Sequence, residues 1–325
     1  MKRKMEVSEL IFKIIAYIIL ILFALMCMYP LIFALAATFS EPEGVNKNLV
    51  VLWPVSTTGG LGFTFNAFLV VLQSSQFWIY YSNTFFVTFL GTLWSMFFTI
   101  FAAYALSKRR LMGRHAWNFF LVFTMWFSAG IVASYNNFQR TGEIFASFVG
   151  GSSMYDMDLK WLVVIAMGAN ATNLILMRNA FEGVPSEIEE AARIDGATEF
   201  QILWRVYIPM SKSTIATVAL FFGIGRWNGY FWSYRIMGST QSYNWPVQVY
   251  IRDFIDRYTG LTGELDTEEL SKGTPPYGVT WDTVTGNAKS VAYAMVLLSI
   301  IPILVVYPFV QKYFAKGVNM GGVKE

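Results

Sequence analysis

One short run in the second half of the chain combines a cation, an amide and aromatic rings. Arg226, Trp227 and Asn228 are consecutive, and Tyr230 and Trp232 follow at once. An asparagine side chain both donates and accepts hydrogen bonds, and an indole offers a flat apolar face. Arg226 lies within a stretch that is otherwise apolar, where a charge is costly unless it faces water or a partner. These residue types favour ligand binding or a subunit contact over bond-breaking chemistry.

Residues that could carry covalent or metal chemistry are sparse. His115, the single histidine, stands beside Arg114 with no carboxylate or thiol neighbour, and Cys27, the single cysteine, lies in an apolar run. No cluster of histidine, cysteine and carboxylate residues has metal-site spacing, so we expect no metal. The chain contains no G-x-x-x-x-G-K-[ST] phosphate loop. A membrane enzyme is therefore a poor interpretation of this sequence.

The composition is that of an integral membrane protein. Of 325 residues, 55% are hydrophobic and only 14% are charged, against about 25% charged in a soluble domain. The formal net charge of +3 is too small to suggest nucleic acid as a partner. A spanning helix needs about 20 mostly apolar residues, so we expect an all-α membrane protein with residues 1–325 in one domain. The predicted spans are 14–37, 78–106, 117–134, 161–177, 214–232 and 291–309.

Charge asymmetry predicts the orientation. The side that carries both termini holds roughly twice as many lysines and arginines as the other side, which places the termini in the cytoplasm by the positive-inside rule. Residues 186–209 then face the cytoplasm, and 234–289 form a long extracytoplasmic loop. A cleaved signal peptide at the amino end is a weaker alternative, because its apolar run exceeds the usual length.

The segment Ser186–Pro209, called the charged segment below, predicts two short stiff helices. Gly196 suits a left-handed stop between them, and Pro209 is expected to break the second. Capping boxes are expected at both helix starts, from Ser186 with Glu189 and from Thr198 with Gln201. Such a segment could be a rigid binding element for a partner protein or an amphipathic connector that lies on the lipid headgroups.

The charged segment resembles the coupling motif of bacterial ABC importer permeases. It matches as Glu190-Ala191-Ala192, Gly196 and Val206-Tyr207-Ile208-Pro209, with valine and isoleucine as conservative departures. Three further stretches resemble the carbohydrate, maltose-type branch, and within it the permeases that import complex oligosaccharides in Gram-positive bacteria. These stretches are Ala102–Arg114, Ala219–Trp232 and Gln311–Glu325.

This resemblance implies the type I ABC importer permease fold and a set of partners. It implies a second homologous permease subunit in a heterodimer, two cytoplasmic ATPase subunits, an extracytoplasmic solute-binding lipoprotein and an oligosaccharide substrate, all at the bacterial cell membrane. No cofactor is expected in this chain, because ATP and Mg would be bound by the partner ATPase. The residues implied to couple to that ATPase are Glu190, Ala191, Ala192, Asp195, Gly196 and Pro209.

The resemblance also gives candidates for the substrate path. Neutral sugars are held by aromatic faces and by groups that match hydroxyls, which Trp227, Trp232 and Asn228 could supply. The candidates are Arg226, Trp227, Asn228, Tyr230 and Trp232, with Asn170 and Asn173 of the fourth span as a second set. The alternative is an interfacial aromatic belt, with Arg226 paired to a neighbouring subunit.

Two other transporter classes remain as alternatives. An ABC permease for a non-sugar substrate, such as a peptide, would share the coupling motif. An ion-coupled carrier or channel is a more remote alternative, because such proteins carry carboxylates inside the membrane and every Asp and Glu falls outside the six predicted spans.

Overall fold

The computed structural model describes the backbone of residues 7–58, 60–127, 129–258 and 281–318, and within these ranges the chain is mostly helical. A single isolated β-bridge joins Val55 and Leu61. The helices are α1 (Val7–Phe39), α2 (Pro42–Asn46), α3 (Asn66–Gln73), α4 (Ser75–Ser107), α5 (Arg114–Trp126), α6 (Gly130–Phe148), α7 (Leu159–Ala166), α8 (Ala171–Glu182), α9 (Ser186–Ile194), α10 (Glu199–Ile202), α11 (Ile208–Met210), α12 (Lys212–Trp227), α13 (Tyr230–Met237), α14 (Val247–Tyr258) and α15 (Trp281–Val318).

Three helices are long and apolar enough to cross a membrane as single elements. They lie at Ser8–Phe39, Ser75–Ser107 and Asn287–Pro308. Three pairs of helices meet the same test when each pair is taken as one bent span. The described residues therefore contain three candidate spans by length and composition, or up to six.

The third, fourth and fifth predicted spans are interrupted in the structure. α5 ends at Trp126 before α6 begins, and α7 meets α8 at an angle of 48°. The fifth span, predicted as 214–232, ends at Trp227, and α13 follows from Tyr230. Apolar runs report burial in lipid but not helix ends, so the sequence did not locate these breaks.

The predicted outer loop, 234–289, also contains regular structure. It holds α14, and α15 begins at Trp281, well before the predicted start of the sixth span. Residues 259–280 of this loop lie outside the described residues.

One compact unit takes in the described residues of Met1–Trp78 and Ile251–Ser299. One core cluster of this unit is formed by Ala36, Ala37, Val45 and Val50. Phe33 packs on this core, and its ring meets the ring of Tyr293 edge-on, with the ring centres 5.6 Å apart.

A second unit takes in Ile79–Tyr250 and the described residues of Ile300–Glu325. One core cluster of this unit joins α4, α8 and α12 to the charged segment, which contributes three buried side chains. The buried members are Met96, Ala103, Tyr104, Met177, Phe181, Ile202, Leu203, Tyr207, Val218 and Phe222. The charged segment is thus packed against α4, α8 and α12 through its apolar face.

Candidate functional sites

The charged segment folds into two short helical pieces joined at a left-handed glycine. Gly196 has a φ of +80°, which confirms the predicted stop. Thr198 accepts a hydrogen bond from the backbone of Gln201, whose side chain accepts one from the backbone of Thr198, so the predicted second capping box is confirmed. The turn is therefore fixed on both sides by local chemistry.

The predicted first capping box is wrong. Pro185 precedes α9, and no side chain caps the helix start. Glu189 instead accepts hydrogen bonds from the hydroxyl of Tyr207 and from Arg193, and it lies against Lys108. These partners compete with the backbone amide for the carboxylate.

The sequence predicted that Pro209 breaks the second helix, and this prediction is wrong. A wide π-helical turn at Leu203–Tyr207 leads into α11, which contains Pro209 and ends at Met210. A proline removes one helical hydrogen bond and its ring crowds the preceding turn, which a wider turn relieves. The chain then bends by 86° into α12.

A nearly buried ion pair ties α9 to the loop after α4. The ammonium of Lys108 lies 2.8 Å from Glu189, and the two side chains are 9% and 14% exposed. The same ammonium lies 4.1 Å from the ring centres of both Tyr104 and Tyr207, in the range of cation–π attraction. Lys108 is thus surrounded by a carboxylate and two aromatic faces.

Burial and pairing shift the pKa values of this pair. Burial raises the pKa of Glu189, but the ion pair with Lys108 and the hydrogen bond from Tyr207 outweigh it and hold that pKa below its ordinary value. Burial lowers the pKa of Lys108, and Glu189 offsets that effect in part.

Glu199 makes a second tie, from α10. Its carboxylate accepts a 2.7 Å hydrogen bond from the hydroxyl of Tyr104 on α4. It also pairs with Arg110 and, at 3.0 Å, with Arg193. Both short helices are therefore fastened to the end of α4 and the loop that follows.

The sequence did not single out the residues of this network. Lys108 and Arg110 counted toward orientation and lay within the stretch Ala102–Arg114 that carries the resemblance, but neither was given a partner. Glu189 was assigned to a helix start and Glu199 was given no role, because their tertiary partners are distant in the sequence.

The predicted coupling residues lie on the outward side of the segment. Glu190, Ala191, Asp195, Gly196 and Pro209 are exposed, and Ala192 is half-buried. Large apolar side chains share this surface, led by Ile194, which is 87% exposed. The others are Ile188, Phe200 and Trp204. An exposed apolar surface on a rigid, internally tied element suits a protein partner.

The five candidate residues between Arg226 and Trp232 lie on two consecutive helices, α12 and α13, and at the break between them. Arg226, 8% exposed, donates to backbone carbonyls of α7. Trp227 is buried with its edge toward Phe85 of α4, and Trp232 meets Phe138 of α6 edge-on. Asn228 is exposed at the end of α12, and Tyr230 is exposed at the start of α13.

A cavity of about 540 Å³ lies at the break between α7 and α8. Asn170 lines it and caps α8, since its side chain accepts a 3.0 Å hydrogen bond from the backbone of Asn173. Asn173 itself is buried. Hydroxyls line the cavity from three helices, at Thr99, Thr124 and Thr172.

A smaller groove of about 290 Å³ lies between α4, α12 and α15. Trp227 lines it with Phe85 and Phe89, and its surface is almost wholly apolar. Thr88 and Thr92 also line the groove, but of the two spaces the cavity at Asn170 exposes the more polar surface.

Comparison with known families decides the class. A family model described as "Binding-protein-dependent transport system inner membrane component" matches residues 116–320, more than half of the chain. The chain belongs to this family. The prediction of an ABC importer permease is confirmed, and the protein is a multi-pass membrane subunit of a transporter.

The permease is similar to characterised relatives over most of its length. It is 33% identical to the polygalacturonan/rhamnogalacturonan transport system permease protein YtcP of Bacillus subtilis (strain 168), over 97% of this chain and 98% of that protein. It is 30% identical to Protein LplC of the same organism, over 91% of this chain and 88% of that protein.

A solved structure supports the fold. It is the crystal structure of a bacterial ABC transporter involved in the import of the acidic polysaccharide alginate. One of its chains is 35% identical to the permease, with a TM-score of 0.76, covering 96% of the permease and 100% of that chain. The permease therefore has the helical fold of an ABC importer permease.

Proposed function

We propose that the permease moves oligosaccharides from an extracytoplasmic solute-binding lipoprotein into the cytoplasm, driven by ATP hydrolysis on separate subunits. The observation that carries the proposal is the charged segment, a stiff two-helix element with an exposed apolar and acidic surface, tied to α4. Its motif residues Glu190, Ala191, Ala192, Asp195, Gly196 and Pro209 form the contact with the ATPase.

The proposed partners supply the functions for which this chain has no residues. The chain contains no phosphate loop, so two ATPase subunits bind ATP and Mg, and this chain itself needs no cofactor. A second, homologous permease subunit completes a heterodimer. Both termini and the charged segment face the cytoplasm, in keeping with the excess of lysine and arginine on that side.

The contacts of the charged segment with Lys108 and Tyr104 transmit movement from the ATPase to the membrane-spanning helices. A push on α9 or α10 reaches Tyr104 and Lys108 directly, because the two acidic side chains contact them. The charged segment also shares a core with α8 and α12. Movement of the segment therefore shifts α4, α8 and α12 together and alternates access between the two sides.

The cavity at Asn170 is the best-supported substrate contact. Its amide and the neighbouring threonine hydroxyls match sugar hydroxyls, which need both donors and acceptors. Asn228, Tyr230 and Trp232 remain candidates nearer the surface. Relatives named for polygalacturonan, rhamnogalacturonan and alginate make oligosaccharides of acidic polysaccharides the first substrates to assay.

Gly196→Asp tests the coupling role in the assembled transporter. The change forces a side chain onto a left-handed position, at a local cost of about 1 kcal/mol, and adds charge to the surface. A Cβ at residue 196 meets nothing within 4 Å in this chain, so the permease should still reach the membrane. We expect loss of oligosaccharide uptake, together with loss of ATPase co-purification or of stimulated ATP hydrolysis.

Gly196→Asn is the matched control, because asparagine has nearly the shape of aspartate and the same tolerance of the left-handed conformation, but adds no charge. It should retain most of the uptake. Normal uptake by Gly196→Asp would remove the main support for the charged segment as the ATPase contact.

A further inference from the structure

The carboxyl end of α7 lies inside the fourth predicted span. α7 ends at Ala166, and regular structure resumes at Ala171. The last carbonyls of a helix have no partner within it. A bilayer supplies no water, so these carbonyls must find donors in the protein or in a polar cavity.

Side chains from two other helices supply those donors. Arg226 of α12 donates to three carbonyl oxygens, and the indole of Trp94 on α4 donates to a fourth, that of Ile165, at 3.2 Å. The three acceptors of Arg226 are Val163 at 3.2 Å, Val164 at 3.1 Å and Met167 at 3.0 Å. A cation at the carboxyl end of a helix is also favoured by the helix dipole.

α4 is shaped to admit the guanidinium. A Cβ at Gly91 would lie 2.3 Å from Nη1 of Arg226, closer than any real contact. One turn further along, the hydroxyl of Ser95 accepts a 2.9 Å hydrogen bond from the same guanidinium. Because Arg226 is 8% exposed and bonded to four protein oxygens, its role is internal.

The backbone whose carbonyls Arg226 and Trp94 bind continues directly into the residues that line the cavity at Asn170. Met167, whose carbonyl Arg226 binds, is followed within a few residues by Ala169, Asn170 and Thr172, which line the cavity. A shift of the break would therefore move the amide of Asn170 relative to the hydroxyl of Thr99 on α4.

We propose that Arg226 and Trp94 are positioning residues that fix the break between α7 and α8 and so set the geometry of the substrate cavity, without touching substrate. This role rests on the proposed function of the cavity at Asn170. It replaces direct substrate contact by Arg226 as the reason for a charge inside the fifth span.

The test uses the complete transporter in proteoliposomes and compares three variants. Arg226→Met removes the donors and keeps an unbranched, though shorter, side chain. Gly91→Ala displaces the guanidinium while leaving it in the chain. Gly225→Ala is the matched control, because a Cβ there meets nothing within 4 Å.

The substrate concentration for half-maximal uptake is the decisive readout. Arg226→Met and Gly91→Ala should raise it about tenfold, the effect of one misplaced hydrogen bond to the substrate. The yield of assembled complex and the ATP hydrolysis without substrate should stay near wild type, and Gly225→Ala should change nothing.

Two results would overturn the proposal. One is that Arg226→Met lowers the yield of assembled complex but leaves the substrate concentration for half-maximal uptake unchanged. Arg226 would then have only a structural role. The other is Gly91→Ala behaving like Gly225→Ala. If Arg226→Met does not assemble, Arg226→Lys, which keeps the cation with fewer donors, together with Gly91→Ala decides the matter by the same readout.

Asn170→Ala separates this proposal from the proposed function. If that variant leaves half-saturation unchanged, the cavity is not the substrate site. If it raises half-saturation and Gly91→Ala does not, the site stands and the positioning role fails.

Discussion

The ion pair of Lys108 and Glu189 is a principal contact between the charged segment and the end of α4. Both side chains are largely removed from water, and the ammonium lies 2.8 Å from the carboxylate. Removing one partner of such a pair leaves a charge buried without compensation, whereas replacing both with uncharged groups is often close to neutral. The pair therefore predicts strong non-additivity.

Lys108→Met and Glu189→Gln should each lower the free energy of unfolding by about 3 kcal/mol, and the double variant should recover most of that loss. Thermal unfolding of the solubilised complex at pH 7 measures it. Lys47→Met is the control, since its pair with Glu43 is exposed and should matter little. Additive losses in the double variant would show that the two groups do not act on each other.

The same pair has a defined dependence on pH. The pKa of Glu189 is lowered in the folded protein. Its contribution to stability is therefore present above the ordinary carboxyl pKa and is lost as the pH falls through the lowered value. Glu189→Gln should lack this acid-dependent part.

At the scale of elements, the sequence predicted the turns and caps that depend on neighbouring residues. It did not predict which side chains find partners far away in the sequence. Gly196 and the box of Thr198 with Gln201 depend on neighbours along the chain, and both were predicted. Glu189 was misassigned because Lys108 and Tyr207 attract its carboxylate across the fold. Arg226 was noticed as a charge in a span, but its carbonyl partners on α7 appear only once the helices are packed.

The two predicted capping sites give a direct test at this scale. Thr198→Ala should lower the free energy of unfolding by about 1 kcal/mol, because it removes a cap that the structure contains. Ser186→Ala should be close to neutral, because no side chain caps α9. Thermal unfolding of the solubilised complex compares them, and an equal loss in both would contradict the assignment of caps.

At the scale of the whole molecule, composition and charge were enough for the class. An apolar, weakly charged chain with cationic segments after its spans predicted a helical membrane protein, and the family match confirms it. The breaks at Trp126, Ala166 and Trp227 were not predicted. Gly168 with Asn170, and Asn228 with Gly229, were local signals for the last two breaks, but the hydropathy of the whole window outweighed them. The break at Ala166 nevertheless opens into the cavity that we assign to substrate.

ATP-dependent uptake of a labelled oligosaccharide by proteoliposomes is the most direct test of the central claim. The vesicles would contain the complete transporter with ATP enclosed and the solute-binding protein outside. We predict accumulation inside that requires ATP, requires the binding protein and is abolished by Gly196→Asp. Uptake that proceeds without ATP, or that follows an imposed ion gradient instead, would contradict the account.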